Sequence, residues 1–344
     1  MEPRILLTRL RFIGDVVLTT PAVCSVRRFF PGAHIAYLGE KEAVSLLEHN
    51  PHLNEIIPYD YGRSAPAEQL RVARLLRSHR FDLAIDFFGN PRSALLVGLS
   101  GARVRVGPDR RGRGRFYTIR VRDDGRPRTA VEFHDCSLRA AGITPVCSRT
   151  GIFLTPAEVE EAEAFLREDA PSRGVIALHP GATWPAKHWM PERFAALADV
   201  AAEAHGAGIL LIAGPSDGDC VREVLRRTRT RIRVAQGLPL RRLAALLSRC
   251  RAYVTNDNGT MHMAAAVGTP TVGLFGPGEE RIWFPYRAEE GHRALRREVP
   301  CHPCHLDVCT REGAAHMECM KLLTVEEVAA ALGACMRGRA EGVR

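Results

Sequence analysis

The stretch 253–277 constrains the fold most, because it places a strand, a polar loop, a helix and a second strand in one short segment. Residues 252–254 are apolar and predict a buried strand, and turn-forming residues fill 255–259. Residues 260–267 predict a helix that a Gly and a Pro then end, and residues 271–274 predict the second strand. This order describes a parallel crossover, and open α/β sheets bind ligands at the carboxyl ends of their strands.

The polar loop of this crossover is the predicted ligand site. A helix that starts at Gly259 and Thr260 presents free N–H groups and a positive dipole end, which suit a phosphate. Asp257 or Asn258 could also act only as a helix cap, and His262 could be an ordinary half-buried histidine. The polar side chains gathered here are Asn256, Asp257, Asn258, Thr260 and His262.

The rest of the chain alternates short strands with helices, which predicts an α/β fold with doubly wound parallel sheets. The 344 residues exceed one ordinary core, so we expect domains at 1–155 and 171–322. A last helix within 323–344 is expected to pack back on the first domain. The Arg- and Gly-rich segment 103–128 predicts a flexible solvated loop, which could also grip phosphates or carboxylates.

Composition excludes few functions. The formal charge of +9 suits an anionic partner, whether phosphorylated glycolipid, membrane headgroups or nucleic acid. Nucleic acid is disfavoured, because the Arg-rich segment lacks interleaved aromatic residues. The sequence has no apolar run of about 18 residues and no export signal near Met1, so a cytoplasmic protein with reduced cysteines is expected.

Two places in the first half carry candidate chemistry. Asp15 follows the predicted strand 4–8 at the start of a predicted helix over 16–30, where it could be a general base or an N-cap. Arg92 and Ser93 follow another strand, and they could hold an acceptor or simply begin a solvated helix.

The second half adds a lysine, two acidic residues and a cysteine cluster. Lys187 follows a Gly-containing turn and could reach a diphosphate, although a surface role is the simpler interpretation. Asp217 and Asp219 lie between a strand and a helix, where turn and cap roles are favoured. A closed zinc site is one interpretation of four thiols, and reduced free cysteines are the other. These are Cys301, Cys304, Cys309 and Cys319.

Four segments, in this order along the chain, resemble the ADP-heptose glycosyltransferases that build the lipopolysaccharide inner core, which form glycosyltransferase family 9. They are the Gly-Asp opening at Gly14, the Gly-Asn-x-Arg-Ser of 89–93, the Pro-Gly-Ala element leading to Lys187, and the Asp-x-Gly-x-x-His of 257–262. The pattern is closest to that of heptosyltransferase II. The resemblance implies a GT-B architecture, with two Rossmann-like domains facing a cleft.

The resemblance also implies roles for particular residues. Asp15 becomes the catalytic base of an inverting displacement, with Arg9, Gly14, Arg92 and Ser93 on the acceptor side. The donor ADP-heptose would contact Thr183, Lys187, Asp217, Asp257, Asn258, Gly259, Thr260 and His262. No metal or other cofactor is required. The acceptor would be an acidic lipid A core, reached by peripheral contact with the cytoplasmic face of the inner membrane.

Several alternatives stay open. Asn258, Met261 and Ala182 depart from the family pattern, which leaves open the heptose position that is built and whether the donor sugar is heptose. A transferase for another nucleotide sugar, or a nucleotide-sugar epimerase, would share the architecture. A dehydrogenase is disfavoured because no Gly-x-Gly-x-x-Gly follows a strand. A nucleic-acid-binding protein rests on net charge alone.

Overall fold

A computed structural model describes residues 2–167 and 173–342 of the chain. The chain divides into two compact units, Met1–Phe153 and Leu154–Arg344. The predicted end of the first domain, at 155, lies two residues from this division. The predicted start of the second domain at 171 lies outside the described residues.

The first unit contains six strands and six α-helices among its described residues, with two short 3-10 turns at Ser45–Leu47 and Arg113–Phe116. The strands are β1 Arg4–Thr8, β2 His34–Glu40, β3 Glu55–Tyr59, β4 Leu83–Asp86, β5 Val104–Pro108 and β6 Ile119–Val121. The helices are α1 Ile13–Leu18, α2 Thr20–Phe29, α3 Lys41–Val44, α4 Ala65–Ser78, α5 Pro91–Leu99 and α6 Ala130–Ala140.

All six strands of the first unit form one parallel sheet in the order β3-β2-β1-β4-β5-β6. The order reverses between β1 and β4, and apolar clusters cover both faces. The predicted loop over 103–128 is wrong in part, because β5 and β6 extend the sheet there. Val106 is buried and pairs with both β4 and β6, while Arg103 and Arg120 are exposed, so the Arg-rich composition hid a strand pattern.

The helix predicted over 16–30 is two helices. α1 ends before Thr19, whose hydroxyl donates to the carbonyl of Val16 at 2.7 Å, and α2 begins at Thr20 with Pro21 in its first turn. Proline is accepted there because the first helical N–H groups have no partner within the helix.

The second unit has the same plan. Its strands are β7 Val175–His179, β8 Gly208–Ala213, β9 Ile232–Gln236, β10 Ala252–Asn256, β11 Thr271–Leu274 and β12 His292–Leu295. Its helices are α7 Pro156–Arg167, α8 Pro191–His205, α9 Gly218–Arg227, α10 Leu240–Ser248, α11 Gly259–Ala266, α12 Glu280–Trp283, α13 Glu318–Lys321 and α14 Val325–Gly342. Short 3-10 turns cover Pro185–Lys187, Ala288–Glu290 and Gly313–Ala315.

The second sheet is also parallel throughout, in the order β12-β11-β10-β7-β8-β9. Counted from its own first strand, this is the strand order of the first sheet, with its reversal between β7 and β10. The predicted crossover β10–α11–β11 is confirmed, with Tyr253 opposite Thr271. Helix α14 packs in the core of this unit through Val328, Leu332 and Cys335. The expectation that it packs back on the first domain stays a prediction.

The expectation that all cysteines are reduced is also corrected. Cys24 on α2 forms a disulfide with Cys147 in the segment after α6, with the two Cα atoms 6.1 Å apart. The hydroxyl of Ser25 accepts the N–H groups of Val146 and Cys147, at 3.1 Å each, and so brings the two thiols together. Across 2–167 and 173–342, the structure contains no helix long and apolar enough to cross a bilayer.

Candidate active site

The loops that follow β7 and β10 meet where the second sheet reverses its strand order, the usual ligand position in such sheets. Asn256, the last residue of β10, is fully buried and connects the two loops by hydrogen bonds. Its amide donates to the carbonyl of Pro180 at 2.7 Å and its oxygen accepts the N–H of Trp189 at 3.0 Å. The sequence therefore builds one polar edge from two distant segments.

Asn258 is the N-cap of α11. Its side-chain oxygen accepts the N–H groups of Thr260 and Met261, at 3.1 and 3.2 Å. The expectation of a helix start with free N–H groups is thus only partly correct, because the cap occupies two of them. Gly259 is the first helical residue, so its N–H has no acceptor within the helix.

A buried network lies beneath this helix start. His179, at the end of β7, contacts the Asp217 carboxylate through Nε2 at 2.9 Å, while Nδ1 lies 3.0 Å from the Thr260 hydroxyl and 3.2 Å from the Tyr253 hydroxyl. Since a carboxylate only accepts, Nε2 donates to it and Nδ1 faces the hydroxyl groups. The hydrogen bond from His179 holds the pKa of Asp217 below its usual value.

This network changes the interpretation of two predicted donor contacts. Asp217 is 8% exposed and also accepts the N–H of Gly214 at 2.7 Å, and a Cβ at Gly181 would collide with its carboxylate. Its contacts favour a role in positioning His179 over direct contact with a ribose. The Thr260 hydroxyl likewise faces inward. Asp219, whose side chain is 93% exposed, is the carboxylate that is open to solvent near the start of α9.

Lys187 provides the cation of the site. Its Nζ lies 2.6 Å from Asp257 Oδ2 and 4.5 Å from the centre of the Trp184 ring, and both partners of the ion pair are largely buried. A Cβ at Gly278 would lie 2.9 Å from the same carboxylate oxygen, so a side chain there would displace the carboxylate. Thr183, exposed on the loop before Lys187, adds a hydroxyl. These groups can bind an anionic diphosphate.

His262 lies on α11 and is 4% exposed, with Nδ1 2.9 Å from the hydroxyl of Tyr286. Burial, assisted by the positive charge of Lys187, lowers its pKa to about 3. The ring is therefore neutral near pH 7, and it can orient a ligand by hydrogen bonding but does not supply a positive charge.

The first unit places its own polar site at the reversal of its sheet. Asp15 lies in the first turn of α1, where Oδ2 accepts the N–H of Phe12 at 2.9 Å and Oδ1 pairs with Arg9. The Arg9 guanidinium also donates to the carbonyl of Phe87 at 3.1 Å and stacks on Phe88. Arg9 therefore orients Asp15 in this structure, and its contact with an acceptor stays a prediction. Gly14 is buried in the same turn.

The loop after β4 is held from below by Asp86, which the sequence analysis did not select. One oxygen accepts the N–H groups of Phe88 and Gly89, at 2.8 and 2.9 Å, and the other accepts the Tyr117 hydroxyl at 2.7 Å. Burial raises the pKa of this carboxyl. Ser93 is fully buried beside it and capped by Asn90, so the predicted acceptor contact of Ser93 is not available.

Arg92 remains near the carboxyl edge of the sheet. Its guanidinium lies 4.9 Å from the centre of the Tyr61 ring, and that of Arg11 lies 4.8 Å from the same ring. Glu40 faces Arg11 at 3.4 Å. The two cations and the aromatic ring form a surface that suits an anionic sugar or phosphate.

The cysteine cluster does not form the zinc site that was one interpretation of the sequence. In the part of the chain that the structure describes, no three His, Cys, Asp or Glu side chains are grouped to hold a metal ion. The Cys309 sulfur instead accepts the N–H of Met317 at 3.3 Å, and burial raises the pKa of Cys319 to about 11.

Sequence reasoning missed several residues of the two sites. Asp86 and His179 could have been found from the sequence, because each is a polar residue at the end of a buried strand. No sequence signal connects the others to the sites, because packing brings them there. The missed residues are Arg11, Tyr61, Asp86, His179, Trp184 and Tyr286.

Comparisons with known proteins identify the family of this chain. The sequence profile of glycosyltransferase family 9 (heptosyltransferase) matches residues 69–315, more than half of the chain. Lipopolysaccharide heptosyltransferase 3 of Escherichia coli is 27% identical over 290 residues, which are 80% of this chain and 84% of that protein. Heptosyltransferases 1 and 2 of other bacteria are also similar.

Solved structures share the fold. A glycosyltransferase of family 9 from Veillonella parvula superposes with a TM-score of 0.85 at 26% identity, covering 98% of this chain and 99% of that one. The E. coli heptosyltransferase WaaC with ADP-2-deoxy-2-fluoro heptose gives a TM-score of 0.72 at 21% identity, covering 96% and 99%.

Two Rossmann-like domains, each with a polar site where its strand order reverses, define the GT-B class of architecture. The chain belongs to glycosyltransferase family 9, the heptosyltransferase family, and is a glycosyltransferase.

Proposed function

We propose that this glycosyltransferase transfers heptose from ADP-heptose to an acidic lipid A core acceptor during lipopolysaccharide core synthesis. The observation that carries the proposal is the Lys187–Asp257 ion pair, in which the carboxylate that holds the cation lies two residues before Gly259, the first residue of α11. Support also comes from the lipopolysaccharide heptosyltransferases among its relatives and from the ADP-sugar bound in the WaaC structure.

On the donor side, Lys187, the Thr183 hydroxyl and the N–H of Gly259 bind the diphosphate. Asp257 and His262 orient the sugar. Because the carboxylate of Asp217 accepts a hydrogen bond from His179, the ribose hydroxyls are proposed to bind the exposed Asp219 instead. The charge that develops on the leaving ADP is stabilised by Lys187 and the helix start, so the proposed mechanism requires no metal.

On the acceptor side, a hydroxyl of the lipid core attacks the anomeric carbon from the face opposite ADP. The new carbon–oxygen bond forms as the bond to the β-phosphate oxygen breaks, and the configuration at that carbon inverts. ADP leaves with the electron pair, and Asp15 takes the hydroxyl proton. Arg92 and Arg11 pair with carboxylates or phosphates of the acceptor, which the protein reaches by peripheral contact with the cytoplasmic face of the inner membrane.

Calorimetric titration tests the donor assignment. ADP should bind in the micromolar range and more tightly than UDP or GDP, and Lys187→Ala should weaken it by about tenfold to a hundredfold, the loss expected for charge-assisted hydrogen bonds. Surface Lys321→Ala provides the matched control and should leave binding unchanged. A preference for UDP or GDP would contradict heptose transfer from ADP-heptose but would still be consistent with a glycosyltransferase. Absence of any nucleotide binding would contradict the proposal as a whole.

A further inference from the structure

Helix α5 exposes two leucines on one side. Leu95 is 36% exposed and Leu99 43% exposed, and their four-residue spacing places them one above the other on the outer face of the helix. On the opposite face of this helix, Ala94, Leu96 and Val97 are buried in the core of the first unit. The two leucines therefore form an apolar stripe that the fold of this unit does not use.

Basic residues surround this stripe. The 3-10 turn Arg113–Phe116 packs against α5, since a Cβ at Gly98 would lie 2.8 Å from the Phe116 ring. That turn carries the exposed Arg115. Helix α4 lies alongside as well, and its exposed Arg77 is 3.9 Å from the Cβ position of Gly101, just beyond the end of α5.

The charge of this region is strongly one-sided. Residues 91–122 contain nine arginines and a single acidic residue, Asp109, which pairs with Arg122. Arg77, Arg103 and Arg115 are exposed and form no ion pair with a carboxylate of the described residues. We call the set Leu95, Leu99, Arg77, Arg103 and Arg115 the α5 surface.

We propose that the α5 surface docks on an anionic lipid bilayer. Leucines flanked by arginines match the boundary between headgroups and acyl chains, where the apolar side chains insert and the cations pair with anionic headgroups. A nucleic acid fits less well, because base stacking needs exposed aromatic rings, and here Phe116 is half-buried and Tyr117 is buried.

The α5 surface lies close to the proposed acceptor site at Arg92, and this part of the inference rests on the proposed function. Helix α5 starts beside Arg92, and at a rise of about 1.5 Å per residue Leu99 lies about 10 Å further along the axis. The sugar part of a lipid that is anchored in the bilayer under the leucines can therefore reach Arg92 while the lipid part stays in the membrane.

Vesicle co-sedimentation of the full chain, without donor or acceptor, tests the docking. The protein should bind vesicles of phosphatidylglycerol and phosphatidylcholine, bind pure phosphatidylcholine weakly, and dissociate as salt rises. Leu95→Ser/Leu99→Ser should reduce partitioning at least tenfold. Arg103→Glu/Arg115→Glu should reduce it more, since each neutralised cation alone accounts for about fivefold. The controls are Leu225→Ser and Arg281→Glu, exposed residues of the second unit that should bind like the unchanged protein.

Three results would overturn the docking. The first is sedimentation that is unchanged in both double variants. The second is a concentration-dependent dimer that Leu95→Ser/Leu99→Ser converts to a monomer, which would make the surface an interface between copies. The third is tighter binding to duplex DNA than to anionic vesicles. ADP titration of the unchanged protein separates the two proposals. If that protein binds ADP but not anionic vesicles, only the docking is removed, and if it binds anionic vesicles but not ADP, only the donor assignment is removed.

Discussion

Lys187 and Asp257 form a 2.6 Å ion pair, although they belong to two different connections of the second sheet. The carboxylate holds the ammonium group next to the start of α11, and it is itself an anion in the place where the diphosphate is proposed to bind. The pair therefore orients the cation and also opposes an incoming anion.

The dual role of Asp257 predicts opposite effects on binding and transfer. Asp257→Asn removes a negative charge from the diphosphate position, so ADP should bind about threefold more tightly, a shift of about 0.7 kcal/mol. Sugar transfer should fall, because the carboxylate no longer orients Lys187 and the sugar. Titration of ADP and steady-state kinetics measure the two effects, with Lys187→Ala as the variant that must lose both. Weaker ADP binding in Asp257→Asn would show that orientation outweighs repulsion.

The Arg9–Asp15 pair predicts losses of activity of different size for variants of the two residues. Asp15→Asn should reduce kcat by about 10²–10⁴, the range for loss of a general base. Arg9→Ala should reduce it less, because the base is present but no longer fixed to Phe87 and α1, and Arg9→Lys should restore part of the loss.

Neither Arg9 nor Asp15 variant should change the Kd for ADP, since both residues belong to the first unit and ADP is assigned to the second. A large change in ADP affinity for Asp15→Asn would contradict this division of labour between the two units.

The network around His179 predicts different consequences for the two neighbouring acids. Asp217→Asn should lower the free energy of unfolding by about 2 kcal/mol, because it weakens a buried charge-assisted hydrogen bond to His179. Asp219→Asn should leave stability within about 0.5 kcal/mol, since its side chain is exposed. If Asp219 binds the ribose, this variant should also bind ADP and 2′-deoxy-ADP with equal affinity. Discrimination lost only in Asp217→Asn would restore the original ribose assignment.

Buried neutral histidines predict acid sensitivity of the second unit. Burial lowers the pKa of His262 to about 3 and that of His292 to about 4, both below the ordinary 6.5. Their contribution to stability is thus complete above about pH 6.5. As the pH falls toward 4, the unfolded chain binds protons that the folded chain excludes, and stability drops by about 1.4 kcal/mol per pH unit for each histidine.

Denaturant unfolding at pH 7.5, 6.0 and 5.0 measures this slope. His292→Phe removes one titrating group and keeps a ring next to Tyr286, so it should reduce the slope of stability against pH by about 1.4 kcal/mol per pH unit. An unchanged slope in this variant would mean that other groups dominate the acid sensitivity.

The Cys24–Cys147 disulfide predicts a redox-dependent stability of the first unit. It closes a loop with a sequence separation of 123, for which chain entropy gives about 4–5 kcal/mol. Cys24→Ser should therefore lower the Tm of oxidised protein, and a reductant should lower the unchanged protein to the same value. Cys136→Ser, which removes a free thiol of the same unit, serves as control and should have little effect. Equal melting with and without reductant would contradict the bond.

The local elements of the fold were accessible from the sequence, because their signals are short-range. The bounds of β1, β4, β8 and α8 follow from apolar runs and from turn residues, and the crossover around α11 follows from one uninterrupted pattern. Strands β9 and β12 were missed, since partly buried edge strands carry a weak apolar pattern. The arginines of 103–128 concealed β5 and β6 in the same way.

Residue type and spacing determined by themselves which side chains stand at the ends of the central strands. They placed Lys187 and Asp257 in loops, and Asp15 and His262 in the first turns of helices, at the carboxyl edge of parallel sheets, where short-range patterns are sufficient. Only tertiary structure decided what each side chain does there. Packing turned Ser93 and the Thr260 hydroxyl inward, paired Asp217 with His179, and brought Arg11 and Arg92 to one tyrosine. Such pairings join residues that are far apart in the chain. A local sequence pattern therefore does not predict which distant residue will pack against a given side chain.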